Sequence, residues 1–205
     1  MIDNHFRKHL PKITKSLIRF YAYLGITPNH ITYAGFFLSL ISAYLVAKNF
    51  FLPALAVWWL SRLLDGTDGI YARSTNQASN FGAFLDILLD MAAYSAMVVG
   101  FYFAFPQLQL TWLLILFFYV LCITSALALG SIEDKIPGLK YDNRGLRLAA
   151  GVAEAGETGI AYSMFLLFPS CIFIFSKIWI CILFLTVVSR VLLAKRILKN
   201  EKKLA

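Results

Sequence analysis

The sequence predicts an all-α fold: a polytopic membrane protein of six transmembrane helices, preceded by an N-terminal amphipathic interfacial helix. Three observations carry that prediction. Hydrophobic residues make up 60% of the chain, against about 45–50% in ordinary soluble domains. They gather in runs of roughly 20 residues, the length a helix needs to cross a hydrocarbon core. The basic residues behind the net charge of +8 cluster at the ends of those runs, where Lys and Arg meet anionic lipid. That placement argues against a nucleic-acid partner. At 205 residues, with no internal repeat and no low-complexity linker, the chain reads as a single domain, 1–205.

The elements follow in order. Over residues 3–24, Phe6, Leu10, Ile13, Leu17 and Phe20 recur at spacings of four and three, with Lys8, Lys12, Lys15 and Arg19 on the opposite face. A basic amphipathic helix beside a span lies in the membrane interface; Pro11 kinks it or marks its start. The opening residues lack a compact apolar core before a small-residue cleavage site, so no secretory leader is expected. Gly25 ends the interfacial helix, and Thr27-Pro28 opens the next as N-cap and first helical residue. The six spans are then expected at about 29–47, 51–73, 81–104, 109–130, 148–168 and 172–194.

The side chains on these spans divide into ordinary and unusual ones. Cys122, Cys171 and Cys181 have no metal-type spacing and read as small buried hydrophobes. Phe50-Phe51, Phe101-Tyr102-Phe103 and Trp112 fall near one set of span ends, as an aromatic belt would. His5, His9 and His30 have no ligand partner at helical spacing. With six spans, the N-terminal arm, the 131–147 connection and the Lys-rich tail share one side. The positive-inside rule places that side, both termini and the 74–80 turn in the cytoplasm.

Asp65, Asp68, Asp86 and Asp90 do not belong in such a sequence unless something neutralises them, because carboxylates in lipid are costly. Asp65 and Asp68 are three apart, so they share a face at the end of the second span. Asp86 and Asp90 are four apart and share a face at the start of the third. The short turn between these helices makes them antiparallel neighbours, so the two pairs can converge. Such clusters bind hard cations, Mg²⁺ or Mn²⁺, shared with substrate phosphates. Two ions a few Å apart would clamp a phosphoryl centre. Gly66, Gly69 and Gly82 leave room for close approach of a ligand or backbone, and Arg73 can bind a phosphate oxygen. The competing structural reading is a buried charge network or proton path. It would set four acids against few nearby bases, Arg62 and Arg73 being the obvious ones, and it leaves the glycines unexplained.

At this point the sequence resembles the CDP-alcohol phosphatidyltransferases. Their signature is D-x-x-D-G-x-x-A-R, about eight residues, then G-x-x-x-D-x-x-x-D. Asp65, Asp68, Gly69, Ala72, Arg73, Gly82, Asp86 and Asp90 match every fixed position. The resemblance extends over the whole architecture, including the Pro28-Asn29-x-x-Thr32 opening of the first span. It implies metal-dependent transfer of a phosphatidyl group from a CDP-linked lipid, foremost CDP-diacylglycerol, to a small alcohol acceptor with release of CMP. A CDP-alcohol donor with diacylglycerol as acceptor is the alternative. In the family's pattern Asp65, Asp68 and Asp86 would be metal ligands. Asp90 would lie near the metals and also act as the general base. Gly69, Arg73 and Ser79 match nucleotide contacts, and Asn29 and Thr32 match a further nucleotide-side patch. The resemblance also implies a homodimer in a bacterial cytoplasmic (inner) membrane, with phospholipid biosynthesis as its setting.

For the acceptor side, Arg147, Glu154, Glu157 and Arg190 are the intramembrane or span-end ionisable residues left over. They either line a pocket for a cationic or polyol head group or pair with one another as structural glue. Two glutamates here weigh against a phosphorylated acceptor, for which family members use basic residues. Two other classes compete. A membrane prenyltransferase would separate its acidic motifs more widely in a longer chain. A non-catalytic lipid-binding relative could have shed Asp90, which this chain keeps.

Overall fold

The computed structural model describes residues 15–133 and 155–204, and among these every regular element is helical. The α-helices are α1 (Lys15–Tyr23), α2 (Pro28–Ala47), α3 (Phe51–Ser74), α4 (Asn80–Ala104), α5 (Gln109–Glu133), α6 (Ala155–Leu167) and α7 (Ile172–Leu204). Short 3-10 turns at Pro106–Leu108 and Pro169–Cys171 lead into α5 and α7. Helices α2 to α5 lie close to the bounds expected for the first four spans. The fifth expected span is represented by α6, its residues 148–154 lying outside the described residues. Residues 3–14 of the expected interfacial helix also lie outside them.

Among the described residues, four segments are long and apolar enough to cross a membrane: Pro28–Ala47, Asn80–Ala104, Pro106–Ile132 and Pro169–Ile197. Helix α3 is long enough too, but it carries Arg62, Asp65, Asp68 and Arg73, so composition alone does not mark it as a span. Large apolar side chains face outward along these helices, among them Phe37 on α2, Leu110 on α5 and Phe173 on α7. That outward face suits lipid rather than water.

The early helices end by a shared device. After α1, Gly25 takes φ +64°, while Ile26 N–H reaches Tyr21 O and Gly25 N–H reaches Ala22 O, both at 3.2 Å. This is the Schellman arrangement, which satisfies the last carbonyls of a helix. Asn49 (φ 64°) and Asn76 (φ 55°) take the same left-handed conformation after α2 and α3. Thr27 caps α2 with extended backbone and Pro28 follows at the first helical position, as the sequence predicts.

Helix α2 organises the half of the molecule that carries the aspartates, because both α3 and α4 pack on it. Its contact faces use small residues, which let helix backbones approach closely in a membrane protein. A methyl group on Gly100 of α4 would lie 2.5 Å from Ala43 O, so that crossing has no room for a side chain. Ser61 donates to Gly35 O at 2.7 Å and Ser42 to Ala54 O at 2.8 Å, tying α2 to α3 at two levels. In the other half α5 packs on α7, and α6 packs on α3 and α7.

The core fills the space among these helices with Trp58, Met97, Phe101, Trp112, Tyr162 and Phe165. The aromatic-belt expectation is therefore corrected for Phe101 and Trp112, which are fully buried and stacked at 5.3 Å. Phe50 and Phe103 do face outward. Periodicity alone cannot separate these cases, since neighbouring aromatics on one helix point to different faces. Likewise Cys122 is buried as expected, whereas Cys171 and Cys181 are exposed.

Candidate active site

The aspartates lie where α3 ends and α4 begins. The connection Thr75–Ser79 is short, and Ser79 caps α4 by accepting a hydrogen bond from Gly82 N–H at 3.0 Å. Both helices pack more closely on α2 than on each other. Near the aspartates α3 and α4 are joined through side chains, Arg62 to Asp90 among them.

Three of the four sequence-predicted ligands converge there. Asp65, Asp86 and Asp90 each offer an oxygen, and the three oxygens lie within 4.8 Å of one another. That donor set, all carboxylate oxygen from two rigid helices, fits a hard divalent cation such as Mg²⁺ or Mn²⁺. Asp68, one turn beyond Asp65, is buried and turned toward α2. It accepts from Thr32 Oγ1 at 2.5 Å and from Gly69 N–H at 2.5 Å. Thr32 is thus brought to a carboxylate.

Next to Asp68, Thr67 reaches outward to α1, its Oγ1 lying 3.3 Å from Tyr21 Oη. Tyr21 also meets Tyr71 edge-on at 5.6 Å. Helix α1 is anchored to the aspartate-bearing helix by these contacts. Burial and the nearby Asp68 charge push the Tyr21 hydroxyl above its ordinary pKa, so it stays protonated.

Two further groups of predicted residues are assembled around glycines. A methyl on Gly82 would lie 3.2 Å from Ser79 Oγ and 3.3 Å from Asn29 Oδ1, so Asn29 at the start of α2 and Ser79 at the start of α4 meet at its bare backbone. A methyl on Gly69 would lie 3.3 Å from an Arg73 guanidinium nitrogen. The Arg73 side chain therefore folds back along its own helix over Gly69.

Arg62 is the residue whose position in the site the sequence understated. Its Nη1 lies 2.5 Å from Asp90 Oδ1 and 3.4 Å from Asp65 Oδ2, bridging α3 and α4. The guanidinium rests over the rings of Trp58 at 4.7 Å and Tyr94 at 5.2 Å. The signal was present as spacing: Trp58 and Arg62 are four apart, as are Asp90 and Tyr94, so each pair shares a helix face.

The predicted acceptor residues are less concentrated. Glu157 lies in the first turn of α6. Arg190 is buried on α7 and donates to the Cys122 carbonyl on α5. Glu154 and Arg147 lie outside the described residues.

Residues 25–189 match the family model described as CDP-alcohol phosphatidyltransferase. The chain is 31% identical to the inner membrane protein YnjF of Escherichia coli, over 83% of this chain and 84% of that one. It is 34% identical to the archaetidylinositol phosphate synthase of Pyrococcus horikoshii over a shorter stretch, 46% of this chain and 48% of that protein. The fold is similar to that of the Mycobacterium tuberculosis phosphatidylinositol phosphate synthase with CDP-DAG bound. The TM-score is 0.66 and the identity 20%, covering 89% of this chain and 94% of that one. The same mycobacterial protein in complex with manganese and citrate superposes with a TM-score of 0.63, at 20% identity and 88% coverage of each chain.

Proposed function

The chain belongs to the CDP-alcohol phosphatidyltransferase family, and from that premise we propose that it transfers a phosphatidyl group from CDP-diacylglycerol to a small alcohol, releasing CMP, in phospholipid biosynthesis. The observation that carries this reading is the convergence of Asp65, Asp86 and Asp90 within 4.8 Å, inside the matched segment. Asp65, Asp86 and Asp90 would hold Mg²⁺ or Mn²⁺, with Asp68 one turn away as the further ligand for a second ion, and the metal would supply Lewis-acid stabilisation of charge on the diphosphate. Manganese in the mycobacterial structure supports that chemistry without fixing the metal.

The chain's own residues do the rest. Asp90 accepts the proton of the acceptor hydroxyl, whose oxygen attacks the β-phosphorus of the donor while the bond to CMP breaks. Gly69, Arg73, Ser79, Asn29 and Thr32 hold the nucleotide side of the donor, the backbone at Gly69 and Gly82 admitting close approach. Arg73 is the residue suited to a phosphate oxygen, since its planar donors match that geometry. Glu157, with Glu154, Arg147 and Arg190, belongs to the acceptor side. The buried Arg190, held on the Cys122 carbonyl, contributes there by fixing α7 against α5.

The setting follows from the same reading. Helices α2 to α7 are six spans of a single membrane domain, α1 is the end of an interfacial helix, and two copies form a homodimer. Basic span ends put both termini and the aspartates on the cytoplasmic side of a bacterial inner membrane. The inner-membrane relative supports that location. Purified protein reconstituted with CDP-diacylglycerol, Mg²⁺ or Mn²⁺ and a panel of alcohols is expected to form a new phospholipid carrying one of them. If no phosphatidyl product forms with any CDP-lipid and alcohol pair, the reading is wrong.

A further inference from the structure

We propose that Arg62 is the positioning residue of this site: a built-in cation that holds Asp65 and Asp90 together between α3 and α4, and competes with divalent cations for them. In that role it sets the metal affinity of the site. The inference rests on the metal reading of the carboxylate cluster given above and adds a residue outside the aspartate-glycine-arginine signature.

The geometry shows a fixed charge rather than a passing contact. The Arg62 side chain is 9% exposed. Its Nη1 touches Asp90 at 2.5 Å and Asp65 at 3.4 Å, and lies 3.4 Å from Tyr94 Oη, while Nη2 donates to Ser61 Oγ at 3.1 Å. Ser61 is itself bonded to Gly35 O of α2, so the guanidinium is braced by three helices. Trp58 and Tyr94 flank it at cation–π distance. Guanidinium is charged at every accessible pH, and its rigid fork of donors loses little freedom when held this way.

The consequence is electrostatic. Converging carboxylates repel one another even when partly exposed, and Arg62, itself largely buried beside Asp65 and Asp90, offsets part of that repulsion before any metal arrives. The same charge opposes a divalent cation entering the cluster and occupies Asp90 Oδ1. Removing it therefore has two effects of opposite sign: the metal-free site becomes less stable, and the cluster, now more negative, binds metal more tightly. An arginine that merely filled space would loosen both.

Mn²⁺ binding to the full-length detergent-purified protein, followed by electron paramagnetic resonance, tests this with wild type, Arg62→Gln and Arg62→Lys. Arg62→Gln is expected to lower the Mn²⁺ Kd roughly 10-fold or more, to lose thermal stability in EDTA, and to recover it with Mn²⁺. If Arg62→Gln folds only with metal, that recovery is the same effect at its limit. Arg62→Lys keeps the charge but not the planar fork, and is expected to shift the Kd clearly less than Arg62→Gln does. An unchanged or weaker Kd in Arg62→Gln, beside a wild type that binds Mn²⁺, overturns the Arg62 role and leaves the metal reading standing. A Kd for Arg62→Lys that moves as far as that of Arg62→Gln overturns it as well. If neither wild type nor Arg62→Gln binds Mn²⁺, the metal reading itself falls, and the competition with it.

Discussion

Thr32→Val tests the bond from Thr32 to Asp68 at the edge of the site, which is much shorter than the same hydroxyl's 3.2 Å contact with Pro28 O. Valine nearly matches threonine in shape, so the change removes a hydroxyl and little else. That hydroxyl donates to Asp68 at 2.5 Å. Thr32 is 6% exposed and Asp68 5%, so water cannot easily take the donor's place. A hydrogen bond to a charged group contributes about 1.5–3 kcal/mol, and the carboxylate left short of a donor bears that cost. At about 2–4 °C per kcal/mol for a chain of this size, the melting temperature should fall by about 3–12 °C. The assay is thermal unfolding of detergent-purified protein by circular dichroism, in EDTA so that metal does not mask the loss. A double-mutant cycle with Asp68→Asn assigns the effect to the pair, with an expected coupling of at least about 1 kcal/mol. A Thr32→Val protein melting within about 1 °C of wild type, or an additive cycle, would refute the pairing of Thr32 with Asp68.

Two further perturbations address the substrate sides. Gly82→Ala places a methyl 3.2 Å from Ser79 Oγ and 3.3 Å from Asn29 Oδ1. Both are ends of flexible side chains, so the fold should tolerate it while the KM for the CDP-lipid rises several-fold; steady-state kinetics showing an unchanged KM would remove Asn29 and Ser79 from the nucleotide side. Glu157→Gln should raise the KM for the acceptor alcohol with little change in that for the donor, and unaltered acceptor KM and stability would end the pocket reading.

The helices and the site were legible in the sequence to different depths. Long apolar runs punctuated by Gly25, Thr27-Pro28 and the 74–80 turn mark α2 to α4 to within a residue or so, because apolar runs are set by hydropathy and caps by local chemistry. Asn49 and Asn76 end helices as Gly25 does, but asparagine is a weaker stop signal in a sequence than glycine, which is the usual residue at the left-handed position after a helix. The spacing of Asp65, Asp86 and Asp90 carried their convergence. It could not carry the turning of Asp68 to Thr32, which depends on how closely α2 packs on α3. Arg62 was visible only as a base near the acids. Its role as a bridge depends on Trp58 and Tyr94 coming together from two helices. Phe101 and Trp112 were read as a belt because hydropathy cannot distinguish a lipid-facing aromatic from one facing the bundle.

Metal-dependent, Asp90-dependent release of CMP tests the central claim most directly. Reconstituted wild-type protein given CDP-diacylglycerol and an alcohol panel should release CMP with Mg²⁺ or Mn²⁺ and none in EDTA. Asp90→Asn should lower that rate at least about 100-fold, the scale of a lost general base. CMP release that persists in EDTA, or an Asp90→Asn protein that works at the wild-type rate, would contradict the account.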